Sequence, residues 1–356
     1  MRIPELKIGD LVAKIPIVQG GMGVGISLSG LAAAVANCGG IGVISGVEPG
    51  FNLSYYKENK HKANLDGLTY HIRKAKELAP KGIIGVNIMT ALTTFEDMVK
   101  VAVKEKIDII FSGAGLPMKL PELVKGSFTK IAPIVSSGKV ANLICKQWDR
   151  KHNYIPDAIV VEGPEAGGHL GFSLDDLYNK NITLKSIVAD VLKAIEPFEQ
   201  KYNKKIPIIA GGGLFSGDDV YDIIKAGASA AQIGTRFVAT YECDASDAFK
   251  KAYVDATKED VTIIKSPVGL PGRALKNTFV ERVHSQEKRD PISCINCLKT
   301  CNPKETPYCI ADALIQAQQG NLERGFAFTG SQVYKIDKIT SVKNVIDELL
   351  ERFSRE

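Results

Sequence analysis

The stretch at residues 206–237, "IPIIAGGGLFSGDDVYDIIKAGASAAQIGTRF", reads as one complete strand–helix–strand unit. An apolar run of β-branched residues ends in the glycines 211–213. An amphipathic segment from Asp218 to Ala226 follows, then Gly227, then a second apolar run that ends in Gly234 and Thr235. Apolar runs without alternation suit strands buried on both faces, and strands alternating with helical segments suit parallel βα units.

Working outward, the same unit recurs. Further strands are expected at 15–19, 41–45, 83–89, 107–113, 131–137 and 157–163, which with 206–213 and 230–235 makes eight. Helices are expected from Ser29 to Asn37, Leu68 to Ala79, Phe95 to Glu105, Ala141 to Arg150 and Leu184 to Tyr202. Gly39, Gly82 and Gly227 precede strands, where an αβ turn favours a residue free to take positive φ. A doubly wound sheet fits this local pattern as well as a barrel does. The strand ends decide between them: "QGGMG", "SGV", "NIMT", "SGAG", "SSGK", "EGPEAGGH", "AGGG" and "GTR" are all small or polar. A barrel gathers those ends on the one face that carries the site, whereas an open sheet does not. The expectation is an α/β (β/α)8 TIM barrel over residues 1–245, with a smaller, mostly helical cap over residues 246–356. The cap begins where the alternation lapses into proline-punctuated, charged sequence and ends in an amphipathic helix, "SVKNVIDELLERF", that turns Val345, Leu349 and Leu350 inward.

Bulk properties narrow the function. The 356 residues carry 45 basic and 40 acidic side chains, a formal charge of +5, with no basic run interleaved with aromatics, so nucleic-acid binding has no support. The first residues lack a continuous apolar core and no stretch approaches about 18 apolar residues, which argues against a signal peptide or a membrane span. A cytoplasmic location is expected. Seven cysteines, four of them spaced C-x2-C-x3-C-x7-C at Cys294, Cys297, Cys301 and Cys309, do not suit a secreted disulfide framework. Four thiolates would suit an iron–sulfur cluster or a structural zinc, and four free thiols packing a small cap suit the spacing too.

Several motifs carry chemistry. Gly211–Gly213 and Gly234–Thr235 end consecutive strands with backbone N–H groups that no Cβ shields, which is how an anion such as phosphate is cradled. They follow strands seven and eight, the recurrent phosphate site of such barrels. Gly20, Gly21 and Met22 end strand one, where a flat ring could lie on bare backbone, and Asn87 ends a wholly apolar strand, so its amide should face the mouth. His169 stands in "VEGPEAGGHLGF" (161–172) just past the sixth strand, and an imidazole with an ordinary pKa of about 6.5 can act as base or acid near neutrality.

As a set, "QGGMG", "VNIM", "SGAG", "EGPEAGGHLG", "IIAGGG" and "QIGTRFVATYEC" resemble the FMN-dependent nitronate monooxygenases (2-nitropropane dioxygenases) and their relatives, the flavin-dependent enoyl-acyl-carrier-protein reductases. The resemblance covers about residues 10–245, with a weaker echo at "GRALKN". It implies non-covalent FMN, with Gly20, Gly21, Met22, Asn87 and Lys139 around the isoalloxazine. Glu162, Ala166 and Gly167 would lie near the ribityl chain, and Gly212, Gly213, Gly234 and Thr235 at the phosphate. His169 would stand beside the flavin as the proton-transferring group. The activity implied is oxidation of alkyl nitronates by O2 to carbonyl compounds and nitrite. The alternative is reduction of enoyl thioesters with NAD(P)H, and a non-catalytic flavin module is a third reading. The substrate is a small molecule; a homodimer is left open. Residues 47–70 form a longer loop after strand two than the family generally has.

Overall fold

The computed structural model describes residues 3–285, 294 and 296–355. Eight parallel strands close into a barrel: β1 Ile17–Gln19, β2 Ile41–Ser45, β3 Ile83–Asn87, β4 Ile109–Ser112, β5 Lys130–Val135, β6 Ile159–Glu162, β7 Ile208–Gly211 and β8 Ala230–Ile233. They pair in chain order, and β8 returns to β1 through Ala231↔Ile17 and Gln232↔Val18. The continuous apolar runs have a direct cause. Val18, Val43, Phe111, Val160 and Ile209 pack together inside the barrel, while their neighbours Ile17, Ile44, Ile110, Val161 and Ile208 pack outward beneath the helices. Both faces of each strand are thus apolar.

The helices between strands are α1 Ser29–Asn37, α2 Lys60–Leu78, α3 Phe95–Lys104, the short α4 Leu120–Leu123, α5 Gly138–His152, α6 Leu184–Tyr202 and α7 Gly217–Lys225, with one further short helix, Leu174–Tyr178, ahead of α6. Helix α2 starts well before the expected Leu68, because the Asn59 side chain accepts from Lys62 N–H and caps a polar first turn that lacks apolar periodicity. The segment at 47–70 is therefore half loop and half helix. Gly39 and Gly227 take φ of +91° and +110° as their turns require. Gly82 does not; a methyl group there would come within 2.6 Å of the Ala36 Cβ, so close packing explains that glycine.

Two features were not legible in advance. An antiparallel hairpin, Leu6–Ile8 with Leu11–Ala13, plugs the amino-terminal end of the barrel, its Leu6, Ile8 and Ala13 joining the interior cluster of strand residues. The last helix, α8 Val342–Ser354, buries Val345, Leu349 and Leu350 as expected, but packs against α7 and α1. It fills the place of the eighth helix in the ring. We propose accordingly that the cap is an insertion at about residues 246–341 between β8 and α8, with the closing helix returned to the barrel.

The insertion carries three helices of seven to nine residues, Asp247–Val254, Thr278–His284 and Ile310–Gln318, and also two antiparallel strands, Val261–Lys265 and Pro271–Leu275. The second of these pairs with Gly168–His169, through Gly272↔His169 and Arg273↔Gly168, and so ties the cap to the loop after β6.

Candidate active site

A cavity of about 270 Å³ opens at the carboxyl ends of the strands, between the barrel mouth and the insertion. Gly20, Gly21, Met22, Asn87, Glu162, Ala166, Gly167, His169, Gly212, Gly213, Gly234 and Thr235 all line it. Residues scattered over more than two hundred positions are therefore one surface. Lys139 is the exception: it is exposed, in the first turn of α5, and does not line the cavity. The turn explains this. The Gly138 N–H donates to Asp190 Oδ2 (2.7 Å) and the Ser137 hydroxyl accepts from Val140 N–H, which starts the helix at once and turns the next side chain to solvent.

Bare backbone forms the wall near β1 and β3. A methyl group at Gly21 would come within 2.4 Å of the Asn87 Cβ, so the turn can approach the Asn87 side chain only as glycine. Met22 lies against Gly234, with Sδ 3.2 Å from where a Cβ would stand there. On the opposite side Gly212 and Gly213 hold φ of +108° and +77°. A methyl group at Gly212 would meet the Ala166 and Gly163 backbone at 3.0–3.1 Å. Glycines at these strand ends leave backbone N–H groups without a Cβ of their own to shield them, although the Glu165 carboxylate leans over Gly213.

The imidazole of His169 has its Nε2 2.7 Å from the Ser266 hydroxyl, and its edge meets the Phe328 ring at a centroid distance of 4.8 Å. Both partners belong to the insertion. Enclosure by protein pushes the His169 pKa down to about 4, since burial disfavours the charged form, although the ring keeps surface open to the cavity. By the same cause the Glu162 carboxyl at the end of β6 is pushed up to about 7. At neutral pH His169 is neutral and Glu162 is partly protonated. The other acidic lining residues are Glu48 and Glu165, and no Lys or Arg lines the cavity among the described residues. Glu48 takes hydrogen bonds from the Tyr56 hydroxyl and the Asn64 amide, each at 2.7 Å, within the loop after β2.

The insertion also reaches the glycine cradle. Gly330 N–H donates to Thr235 Oγ1 (2.9 Å), Ser331 N–H to the Glu165 carbonyl (3.2 Å), and the Gln332 amide to the Gly213 carbonyl. The Ser331 hydroxyl is buried with no hydrogen-bond partner among the described residues. Buried Arg273 donates to the carbonyls of Pro164 and Ala166 and fixes the β6 loop. Sequence reasoning missed Glu48, Glu165, Ser266, Phe328 and Ser331, which belong to turns and loops without a recurrent pattern. Gln232 was also missed, although it stands two residues before Gly234 and its side chain packs on Gly20.

The cysteine cluster is only partly at the site. Cys297 lines the cavity, and its carbonyl accepts from Thr93 N–H, while Cys294 is exposed. Among the described residues no three His, Cys, Asp or Glu side chains are grouped to hold a metal ion. Burial raises the thiol pKa of Cys297 to about 12, and burial also raises those of Cys301 and Cys309, so these are protonated thiols.

Comparison with known proteins places the fold among flavin-enzyme relatives. Among solved structures, FabK from Thermotoga maritima superposes with a TM-score of 0.73 at 29% identity, covering 96% of this chain and 93% of that one. A nitroalkane oxidase from Streptomyces ansochromogenes shares the fold, with a TM-score of 0.71 at 21% identity and coverage of 96% and 97%. Among curated relatives, a (3aS,4S,5R,7aS)-5-hydroxy-7a-methyl-1-oxo-octahydro-1H-indene-4-carboxyl-CoA dehydrogenase of Mycobacterium tuberculosis is 27% identical over 76% of this chain. That match spans 65% of the relative's own length, just under two thirds. A nitronate monooxygenase of Paraburkholderia phytofirmans is 26% identical over 74% of each chain. The family profile described as nitronate monooxygenase matches residues 5–352. The chain therefore belongs to the nitronate monooxygenase family, an enzyme family of flavin oxidoreductases.

Proposed function

We propose that this chain is an FMN-dependent oxidoreductase of nitronate monooxygenase type, converting nitro compounds by way of their nitronates to carbonyl compounds and nitrite with O2. The residues suit the cofactor: Gly21, packed on Asn87 with no Cβ of its own, would lie against the isoalloxazine, and Gly212, Gly213, Gly234 and Thr235 would hold the phosphate. When bound, FMN supplies the electron transfer that no side chain here can perform.

The observation that carries the reading is the neutral imidazole of His169, enclosed in the cavity and hydrogen-bonded to Ser266. A neutral imidazole can take the α-proton of a nitroalkane, and the imidazolium so formed keeps the Ser266 oxygen as acceptor for its Nε2–H. The lining favours a neutral entrant. A preformed nitronate anion meets Glu48, Glu165 and the ionised fraction of Glu162, with no cation among the described lining residues, whereas a neutral nitro compound deprotonated in place enters without that repulsion.

One second reading is reduction of an enoyl thioester with NAD(P)H, and the carboxyl-CoA dehydrogenases among the relatives point that way. Anaerobic mixing separates the two. Bleaching of the flavin by NADPH supports the reductase; indifference to NADPH, with nitrite released from a nitroalkane in air, supports the oxygenase. Nitrite release by His169→Ala at the wild-type rate from a neutral nitroalkane would remove His169 from the chemistry.

A further inference from the structure

The insertion touches the glycine cradle at three separate loops through one short segment, Gly330 to Gln332. Its contacts share a sense. Ser331 N–H and the Gln332 amide occupy the carbonyl oxygens of Glu165 and Gly213, two acceptors that would otherwise face an anion with partial negative charge. Gly330 N–H occupies a lone pair of Thr235 Oγ1, which leaves the Thr235 hydroxyl proton free to point away from the segment. A methyl group at Gly330 would stand 2.9 Å from that oxygen, so the approach needs glycine. The segment thus masks acceptors and leaves donors, the condition for an anion site.

One donor is left over. The Ser331 Oγ is buried, lines the same cavity as Gly212, Gly213, Gly234 and Thr235, and has no partner among the described residues. A buried hydroxyl without a partner is costly, and such groups are normally satisfied by a ligand or water. Opposing it, the Glu165 carboxylate leans over Gly213, where a methyl group would come within 2.2 Å of Oε2.

We propose that Ser331 is a phosphate ligand of the bound flavin, so that the insertion, and not only the barrel, discriminates a phosphorylated flavin from an unphosphorylated one. This rests on the FMN reading above. The experiment is to titrate wild-type protein, Ser331→Ala and Ser331→Thr with FMN and separately with riboflavin, following quenching of flavin fluorescence. Loss of a hydrogen bond to a charged group predicts that Ser331→Ala weakens FMN binding roughly 10- to 100-fold. Riboflavin affinity should stay unchanged, and Ser331→Thr should keep the FMN affinity. Equal weakening of both flavins, or no weakening of either, would overturn the role of Ser331. A wild-type protein that binds neither flavin would overturn the cofactor reading itself, and a wild-type preference for riboflavin would overturn the phosphate site.

Discussion

Replacing Gly212 by alanine tests the phosphate cradle by stability, independently of any ligand. Gly212 holds φ +108°, beyond the left-handed region that L-residues enter, which costs about 1–3 kcal/mol for a residue with a Cβ. The new methyl group would also press on backbone at Ala166 and Gly163 at 3.0–3.1 Å, and backbone held by Arg273 cannot step aside cheaply. Overpacking of that kind adds about 1–3 kcal/mol. A control exists in Gly126, which has φ +82° but no atom within 4 Å of an added Cβ, in the turn between α4 and β5. Gly126→Ala should lose only the backbone preference, about 1–2 kcal/mol. Urea unfolding of both variants against wild type measures the difference, and flavin titration should show weakened FMN binding in Gly212→Ala alone. Equal unfolding free energies for the two variants would refute the reasoning, since the cradle would then not be pressed against the β6 loop.

Four further outcomes follow from the same geometry. Asp244 accepts from the N–H groups of Leu28, Gly30 and Leu31 at 2.8–3.1 Å and caps α1 from the segment after β8, so Asp244→Ala should cost about 3 kcal/mol in denaturant unfolding. With its pKa near 4, His169 should place the acid limb of kcat/KM near pH 4, well below its ordinary value of 6.5, as a pH–rate profile would show. Its folded-state pKa lies below the unfolded one, so stability should fall as pH drops from 6.5 towards 4. Glu162, raised from 4.5 to about 7, opposes this by binding its proton in the folded state first, and Glu162→Gln should therefore steepen the acid loss. Glu165→Gln should tighten FMN binding by about tenfold, by removing a carboxylate beside the cradle, and leave riboflavin binding unchanged.

The sequence discloses the barrel because both faces of every strand must be apolar, and because all eight strand ends had to be small where they converge. Residues 41–45 and the helices 29–37 and 184–202 fall where the pattern places them. The plugging hairpin escapes notice because each strand is only three residues long, too short for a period-two signal. The position of α8 in the ring is likewise hidden, since an amphipathic helix shows which face it buries but not against what. Within the site, glycines and His169 are legible as departures from strand and helix chemistry. Lys139 misleads because the start of α5, set by Ser137 and Asp190, decides its direction. Ser266, Phe328 and Ser331 reach the cavity only through the fold of the insertion, and no local spacing announces them.

In the proposed arrangement one cavity holds a flavin between the β1–β3 glycine wall and the β7–β8 cradle. A crystal structure of the protein with FMN tests this most directly. The phosphate is expected among Gly212, Gly213, Gly234, Thr235 and Ser331, and the isoalloxazine between Gly21 and the His169 imidazole. A phosphate located elsewhere, or a flavin outside this cavity, would contradict it.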